Sequence, residues 1–299
     1  GLTLKSLGYS TKHRQMLDIM TSGSSGIVIL CGPTNSGKST SLQALMSGIY
    51  AKRGDTIKMI TVEDPVEYVI PGACQISVGR KRKTSIDAHT GSAFTTFLRG
   101  TLRQDPDVVM VGEIRDHDSA TVVKDLVLAG RKILATLHTY SALWAYVRLR
   151  EIGIPWEILT MPGFIAGIVY QRLVPTLCPH CSMPLVEGLE RVPKETLYRI
   201  QQVSDLSKDK VRVRGDGCEH CHHTGIAGRT VCAELVLPDR ALLRFLSASD
   251  FLGAEKYWRE AGVGAINGGV SSLAHGIHKM REGLISPLDV EDQIGLLTS

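Results

Sequence analysis

Along the first half of the chain, short runs of uninterrupted apolar residues alternate with stretches whose apolar positions recur at helical spacing. After a helical pattern over about 11–20, the cluster TSGSSG at 21–26 breaks the periodicity and IVILC at 27–31 follows. A run that is apolar at every position predicts a strand covered on both faces, as in parallel sheets. A helix is predicted from Ser39 to about Tyr50. Further apolar runs come at IKMITV (57–62), DVVMVG (107–112) and KILATL (132–137), and SATVVKDLVLA at 119–129 has helical spacing. Strands alternating with helices predict an α/β fold on a mostly parallel sheet. The polar residues that close three of these runs, Glu63, Glu113 and His138, then fall at the carboxyl edge, where open α/β sheets bind ligands.

The pattern changes near 175. From there to about 235 the chain is rich in proline, cysteine, histidine and glycine, with a polar helical insert, KETLYRIQQVSDLSKDK, at 194–210. From Pro238 it reads as helical again, through DRALLRFL and LAHGIHKMREGL. We therefore expect a core at 1–175, a tetracysteine subdomain at 176–235 and a C-terminal helical subdomain at 236–299. A length of 299 residues leaves room for one large domain plus a smaller one.

With 43% hydrophobic and 21% charged residues the chain is of globular type. A net charge of +4 and only 5% aromatic residues give little support for a base-stacking surface, so no stable nucleic-acid partner is expected. No apolar run approaches the roughly 18 residues of a spanning helix. The longest, MPGFIAGIVY at 161–170, is interrupted by proline and glycine. The opening GLTLKSLGYSTKHR carries polar and basic residues where a secretory leader has its apolar stretch, and it lacks an initiator methionine. Gly1 is accordingly expected to be an internal boundary with native chain before it. Seven cysteines, four of them in CxxC pairs, suit a reducing compartment with bound metal, the cytoplasm, better than a disulfide framework.

The candidate chemistry begins at GPTNSGKS (32–39), which matches G-x-x-x-x-G-K-[ST] between a predicted strand and a predicted helix. Backbone N–H groups of Gly32, Pro33, Thr34, Asn35, Ser36, Gly37, Lys38, Ser39 and Thr40, apart from the proline, can cradle the phosphates of a nucleotide. Lys38 would neutralise the β and γ phosphates, and the Ser39 hydroxyl would hold Mg²⁺. TVEDPVEY (61–68) places Glu63, Asp64 and Glu67 after a buried strand, where a carboxylate can orient or deprotonate an attacking water. DPDVVMVGEIRD (105–116) has the layout of a Walker B segment, with Glu113 in reach of Mg²⁺, and LATLHTYS (134–141) ends a strand on His138. Taken singly, each acid reads better as a helix N-cap or a solvated loop charge, and three acid-tipped strands behind one phosphate loop turn the reading towards chemistry, while His138 is as readily structural as phosphate-sensing.

Cys178 and Cys181, then Cys218 and Cys221, form two C-x₂-C pairs, the spacing of a tetrahedral Cys₄ zinc site of structural type. His180, His220, His222 and His223 could each replace a thiolate. Cys31, Cys74 and Cys232 are expected to be buried small apolar residues. The basic run RKRK at 80–83 reads as a solvated loop or as a contact to a subunit, an anionic lipid or nucleic acid.

In this order and with this wording, the motifs resemble those of the secretion ATPases of type II secretion and type IV pilus assembly, the GspE/PilB-like family. GPTNSGKST looks like its Walker A, TVEDPVEY like its Asp box, LRQDPDVVMVGEIRD like its Walker B segment, TLHTYSA like its His box, and QRLVPTLCPHC with GCEHCHHTGIAGRTVCAEL like its metal-binding subdomain. The likeness covers essentially the whole chain. It implies a RecA-like P-loop core and a cytoplasmic homo-hexamer, peripheral at the inner membrane, that hydrolyses ATP to drive pilus assembly or secretion through an inner-membrane platform protein. It also implies that Glu63 is the catalytic base, Glu113 the Mg²⁺ carboxylate and His138 the γ-phosphate contact, with ATP, Mg²⁺ and structural Zn²⁺ as cofactors. The related retraction motors lack the four cysteines, which therefore favour the assembly or secretion branch, and a conjugation pilus is a variant of the same motor. Tyr140 stands where the family usually has asparagine and Pro175 where it has a basic residue, and the loop from Val78 to Thr95 is longer and more basic than usual. The family's completing arginines come from a preceding domain, so this chain alone is expected to bind ATP and hydrolyse it weakly. Two competing readings are a ring translocase on nucleic acid and a nucleotide-binding scaffold without turnover.

Overall fold

Apolar runs without polar interruption become the strands at the centre of the fold. The computed structural model of the chain describes residues 2–79, 92–260 and 269–298. In chain order these form α1 (Thr11–Ser22), β1 (Gly26–Cys31), α2 (Lys38–Arg53), β2 (Met59–Glu63), β3 (Ala73–Ser77), α3 (Ala93–Thr101), β4 (Val108–Val111), α4 (His117–Leu128), β5 (Lys132–Leu137), α5 (Trp144–Glu151) and α6 (Trp156–Leu159). There follow β6 (Ile165–Leu177), β7 (Met183–Pro184), α7 (Lys194–Val203), β8 (Arg212–Val213), β9 (Ile226–Val236), α8 (Arg240–Ser247), α9 (Phe251–Glu260), α10 (Ser272–Arg281) and α11 (Pro287–Gln293). The basic run at 80–83 lies outside the described residues.

The described strands assemble in the order β3-β2-β4-β5-β1-β6-β9, with β7 and β8 as a separate antiparallel pair. β1 pairs in parallel with β5 and β6, β2 with β3 and β4, and β4 with β5. In β1, β2, β4 and β5 every residue is buried, which is why their sequences do not alternate. β3, at the edge of the sheet, is only partly buried. Cys74 on it is exposed, contrary to its expected burial, because an edge strand leaves positions uncovered. Cys31 and Cys232 are buried.

Local signals set the helix starts. Ser10 accepts a hydrogen bond from His13 N at the start of α1, Asp116 and Ser119 form a reciprocal capping box at α4, and Asp239 caps α8 through Leu242 N. In the polar insert, helix is confined to Lys194–Val203. MPGFIAGIVY at 161–170, the longest apolar run, leads into the strand β6, and no described helix is long and apolar enough to cross a membrane.

The chain divides into two compact units, and these are not three successive segments. One contains Ser10–Tyr170 and Leu235–Gly269, the other Gln171–Glu234 and Val270–Ser299 together with Ser6–Tyr9. The helical segment expected as a subdomain from 236 onward is therefore shared out. α8 and α9 bring Leu242, Leu246 and Trp258 into the core built around Ile29, Val111 and Ala135, whereas Met280, Ile285 and Val290 join Val174, Ile200 and Val213 in the second core. Burial of each apolar face decides membership, and continuity along the chain does not.

In the second unit Lys279 is buried. Its Nζ donates to Gly8 O and Thr230 Oγ1, each at 2.7 Å, and to Val231 O at 2.5 Å. All three ammonium donors are thus used, which is what allows the charge to be buried.

Candidate nucleotide and metal sites

The loop after β1 turns through left-handed backbone at Asn35 (φ 63°) and Gly37 (φ 83°) before entering α2. Glycine supplies the second of these conformations without strain. Gly37 is also the N-cap of α2 and brings no side chain to its first N–H groups, which remain available to an anion. Lys38 lies buried beneath them, its Nζ donating to Gly32 O at 2.9 Å and Pro33 O at 2.7 Å. Burial lowers the Lys38 pKa, opposed by the nearby Cys31 and Glu113. A buried cation beside a helix N-terminus without a side-chain cap suits a polyphosphate, and Ser39 is exposed, where a bound metal could meet its hydroxyl.

Parallel pairing carries the other candidates to the same edge. Cys31 is in register with Leu137, Val111 with Ala135 and Val62 with Val111, so Glu63, Glu113 and His138 stand at the same carboxyl edge of the sheet as the phosphate loop. They are joined by contacts that no motif announces. His138 Nε2 is 3.2 Å from Glu113 Oε1, while Arg115 Nε donates to Glu113 Oε2 at 2.7 Å. Arg115 Nη1 also reaches Asp64 Oδ2 at 3.4 Å, so one guanidinium links the residues that follow β2 and β4. Its hydrogen bond to Glu113 raises the Arg115 pKa against the opposing effect of burial. Glu67 and Tyr140 are exposed, the latter at 92%.

Glu63 is buried at the end of β2. Its Oε1 accepts from Thr61 Oγ1 at 2.6 Å and from Gln75 Nε2 at 3.1 Å. Gln75 is the register partner of Thr61 on the neighbouring strand, and alternation along β2 puts Thr61 and Glu63 on one face.

In the second unit the four cysteines meet. The Sγ atoms of Cys178, Cys181, Cys218 and Cys221 lie within 4.8 Å of one another, and the pairs Cys178–Cys218, Cys181–Cys221 and Cys218–Cys221 are each at 3.8 Å. A tetrahedral ion with Zn–S bonds of about 2.3 Å requires sulfur separations of about 3.8 Å, so these thiolates fit zinc. Backbone N–H groups of Cys218 and Gly225 each donate to Cys221 Sγ at 3.2 Å. At Cys221 the upward push of burial is outweighed by these donors, which bring the thiol down to about 5, whereas burial and the neighbouring thiols push Cys181 up to about 12. Gly215 makes the close approach possible, since a Cβ there would stand 1.8 Å from Cys181 O. Among the described residues this is the only cluster of three or more Cys, His, Asp or Glu ligands. The nearby histidines take no part, and the His180 and His220 rings stack with centroids 3.9 Å apart.

Residues 1–285 match the family model of the type II/IV secretion system protein. The chain belongs to that family. It is 36% identical over 284 residues to the type II secretion system protein E of Aeromonas hydrophila, covering 95% of this chain and 53% of that protein. To the type II secretion system ATPase E of Vibrio cholerae it is 35% identical over 282 residues, covering 94% and 52%. The chain thus spans about half the length of these secretion relatives. Among solved structures it resembles the pilus retraction motor PilT with bound ADP (TM-score 0.63, 22% identity, 97% of this chain and 66% of that one). It is equally close to the Legionella pneumophila ATPase DotB (TM-score 0.63, 20% identity, 97% and 64%). At those identities the likeness concerns the fold.

For this type II/IV secretion family member, reading the sequence missed Arg115, Thr61 and Gln75. Arg115 sits inside the quoted segment GEIRD, and its signal is a cation two residues beyond an acid that ends a strand. Gln75 carries no such signal, because its relation to Glu63 exists only once β2 and β3 pair.

Proposed function

We infer that this chain is the nucleotide-hydrolysing module of a secretion or pilus-assembly motor, converting ATP and water to ADP and phosphate. The convergence of the phosphate loop with Glu63, Glu113 and His138 at one sheet edge carries this reading. The loop N–H groups and Lys38 bind the phosphates. Ser39 and Glu113 would hold Mg²⁺, which would supply positive charge against the phosphate oxygens. Glu63 accepts the proton of the attacking water, and His138 contacts the γ phosphate. Zinc at the four cysteines is structural, because four protein thiolates leave no open coordination position.

The wider setting follows the resemblance and the names of the relatives: a cytoplasmic homo-hexamer, peripheral at the inner membrane, working on a platform protein of a type II secretion or type IV pilus system. The test is steady-state ATP turnover of the full-length protein that contains this chain, as a function of protein concentration. Turnover that rises cooperatively and is abolished by Lys38→Ala and by Glu63→Gln supports the reading. Full turnover in Glu63→Gln removes Glu63 as the base, and absence of turnover in the intact protein leaves a nucleotide-binding scaffold. Stimulation by single-stranded DNA with steep salt dependence would reassign the motor to nucleic acid.

A further inference from the structure

Gln75 is half-buried on the edge strand β3, outside every nucleotide motif, and yet its amide is fully engaged with residues at the catalytic edge. Its Nε2 donates to Glu63 Oε1 at 3.1 Å and to Tyr68 O at 2.8 Å, while its Oε1 accepts from Ile70 N at 2.8 Å. One side chain therefore ties the carboxylate that ends β2 to the loop that leaves it. Ser77, two residues along and on the same face of β3, accepts from Val66 N at 3.2 Å in the same loop. The loop's Val69 is 81% exposed, whereas Ile70, whose N–H the Gln75 amide binds, is buried, so the two seat the segment together.

We propose that Gln75 is a positioning residue for Glu63, holding the carboxylate by one oxygen so that the other faces the attacking water. The proposal rests on the reading of Glu63 as the base. Both side-chain donors to Glu63 among the described residues, Thr61 and Gln75, converge on Oε1. Two donors from different strands fix both the position and the rotation of the carboxyl plane, which a single donor leaves free to turn. Proton transfer needs the base oxygen within hydrogen-bond reach of the water, and displacement by about 1 Å can cost on the order of 100-fold in rate. Thr61 lies on the strand of Glu63 itself and cannot report the position of the next strand. Gln75 can, and it makes the base answer to the 64–72 loop as well.

The deciding comparison uses the full-length protein with Gln75→Glu and Gln75→Ala. Glu at this position keeps an acceptor for Ile70 N but offers no donor to Glu63 or to Tyr68 O, whereas Ala removes all three bonds. Both variants are expected to lower kcat about 10- to 100-fold while KM and the Kd for ATP stay at their wild-type values. In the nucleotide-free protein, hydrogen exchange at the Ile70 amide should quicken in Gln75→Ala and much less in Gln75→Glu. Wild-type kcat in Gln75→Glu overturns the proposal, as does a loss of kcat matched by an equal loss of ATP affinity or of melting temperature. A Gln75→Ala protein that does not fold leaves the decision to Gln75→Glu. The single variant Glu63→Gln separates the two layers: if it turns over normally, the base assignment fails first. If its residual turnover is unaffected by adding Gln75→Glu, the two residues act as one unit.

Discussion

His138 Nε2 lies 3.2 Å from Glu113 Oε1, so the imidazole that follows β5 meets the carboxylate that follows β4, while Arg115 holds the opposite oxygen at 2.7 Å. Glu113 is thereby oriented from two sides before any nucleotide arrives. His138→Ala should lower kcat about 100-fold, the scale of losing one positioned donor to developing negative charge. The double variant His138→Ala/Glu113→Gln should lose less than the product of the two single effects, since both act on one charge arrangement. Fully multiplicative losses in kcat would show that the contact has no part in turnover.

Lys38 is a buried cation whose Nζ is held by two backbone carbonyls. Burial disfavours that charge, so its removal costs the fold little. Lys38→Ala should therefore leave the melting temperature of the nucleotide-free protein at or above that of the wild type. Its ATP affinity, measured by calorimetry, should fall about 100-fold or more. A variant that instead melts early would show that the lysine is a structural strut.

Zinc removal should unfold the second unit before it touches the phosphate loop, because an ion held by the four gathered sulfurs would clamp the two CxxC segments of that unit. Each kcal/mol of stability lost corresponds to a fall of about 4–8 °C in melting temperature for a cooperative unit of about 100 residues. A strong chelator, or the pair Cys178→Ser and Cys181→Ser, should produce a drop of several such steps with ATP affinity nearly unchanged. Elemental analysis showing no bound zinc, together with an unshifted melting curve, would reject the site.

Lys132 opens β5 almost completely buried, its Nζ donating to Met20 O at 2.9 Å. Desolvation brings its pKa down from 10.5 to about 8. Between those values the unfolded chain binds more protons than the folded one, so stability at this site rises with pH across that window. The penalty is fully present below about 8 and lost above 10.5. The difference in melting temperature between wild type and Lys132→Met should accordingly shift in favour of the wild type from pH 8 to pH 10.5. A flat difference curve would mean that the amine stays hydrated.

Much of the core was legible from local pattern alone. An apolar run closed by Glu63, Glu113 or His138 already contains the strand, its burial on both faces and its polar terminus, because a strand buried on both sides carries mostly apolar residues and admits an inner Thr61 or Thr136 only with a hydrogen-bond partner. The spacing of GPTNSGKS and of the two CxxC pairs was equally local, since loops that wrap a phosphate or a metal need particular residues at short separations. The division into units was less legible. α8 and α9 are as helical in sequence as α10 and α11, and only the core that receives each apolar face assigns it.

By itself, then, the sequence marked β1, β2, β4 and β5, the helices α1, α2 and α4 among them, the candidate phosphate loop and the two cysteine pairs, each of which depends on residues within a few positions of one another, and it left β3, β6 and β9 unread. Tertiary structure alone decided that Arg115 would join Glu113 to Asp64, that His138 would reach Glu113, and that Gln75 would hold Glu63. Those contacts cross from strand to strand. They depend on sheet order and register, which hydrogen bonding and burial settle over the whole chain at once and no short stretch of sequence records.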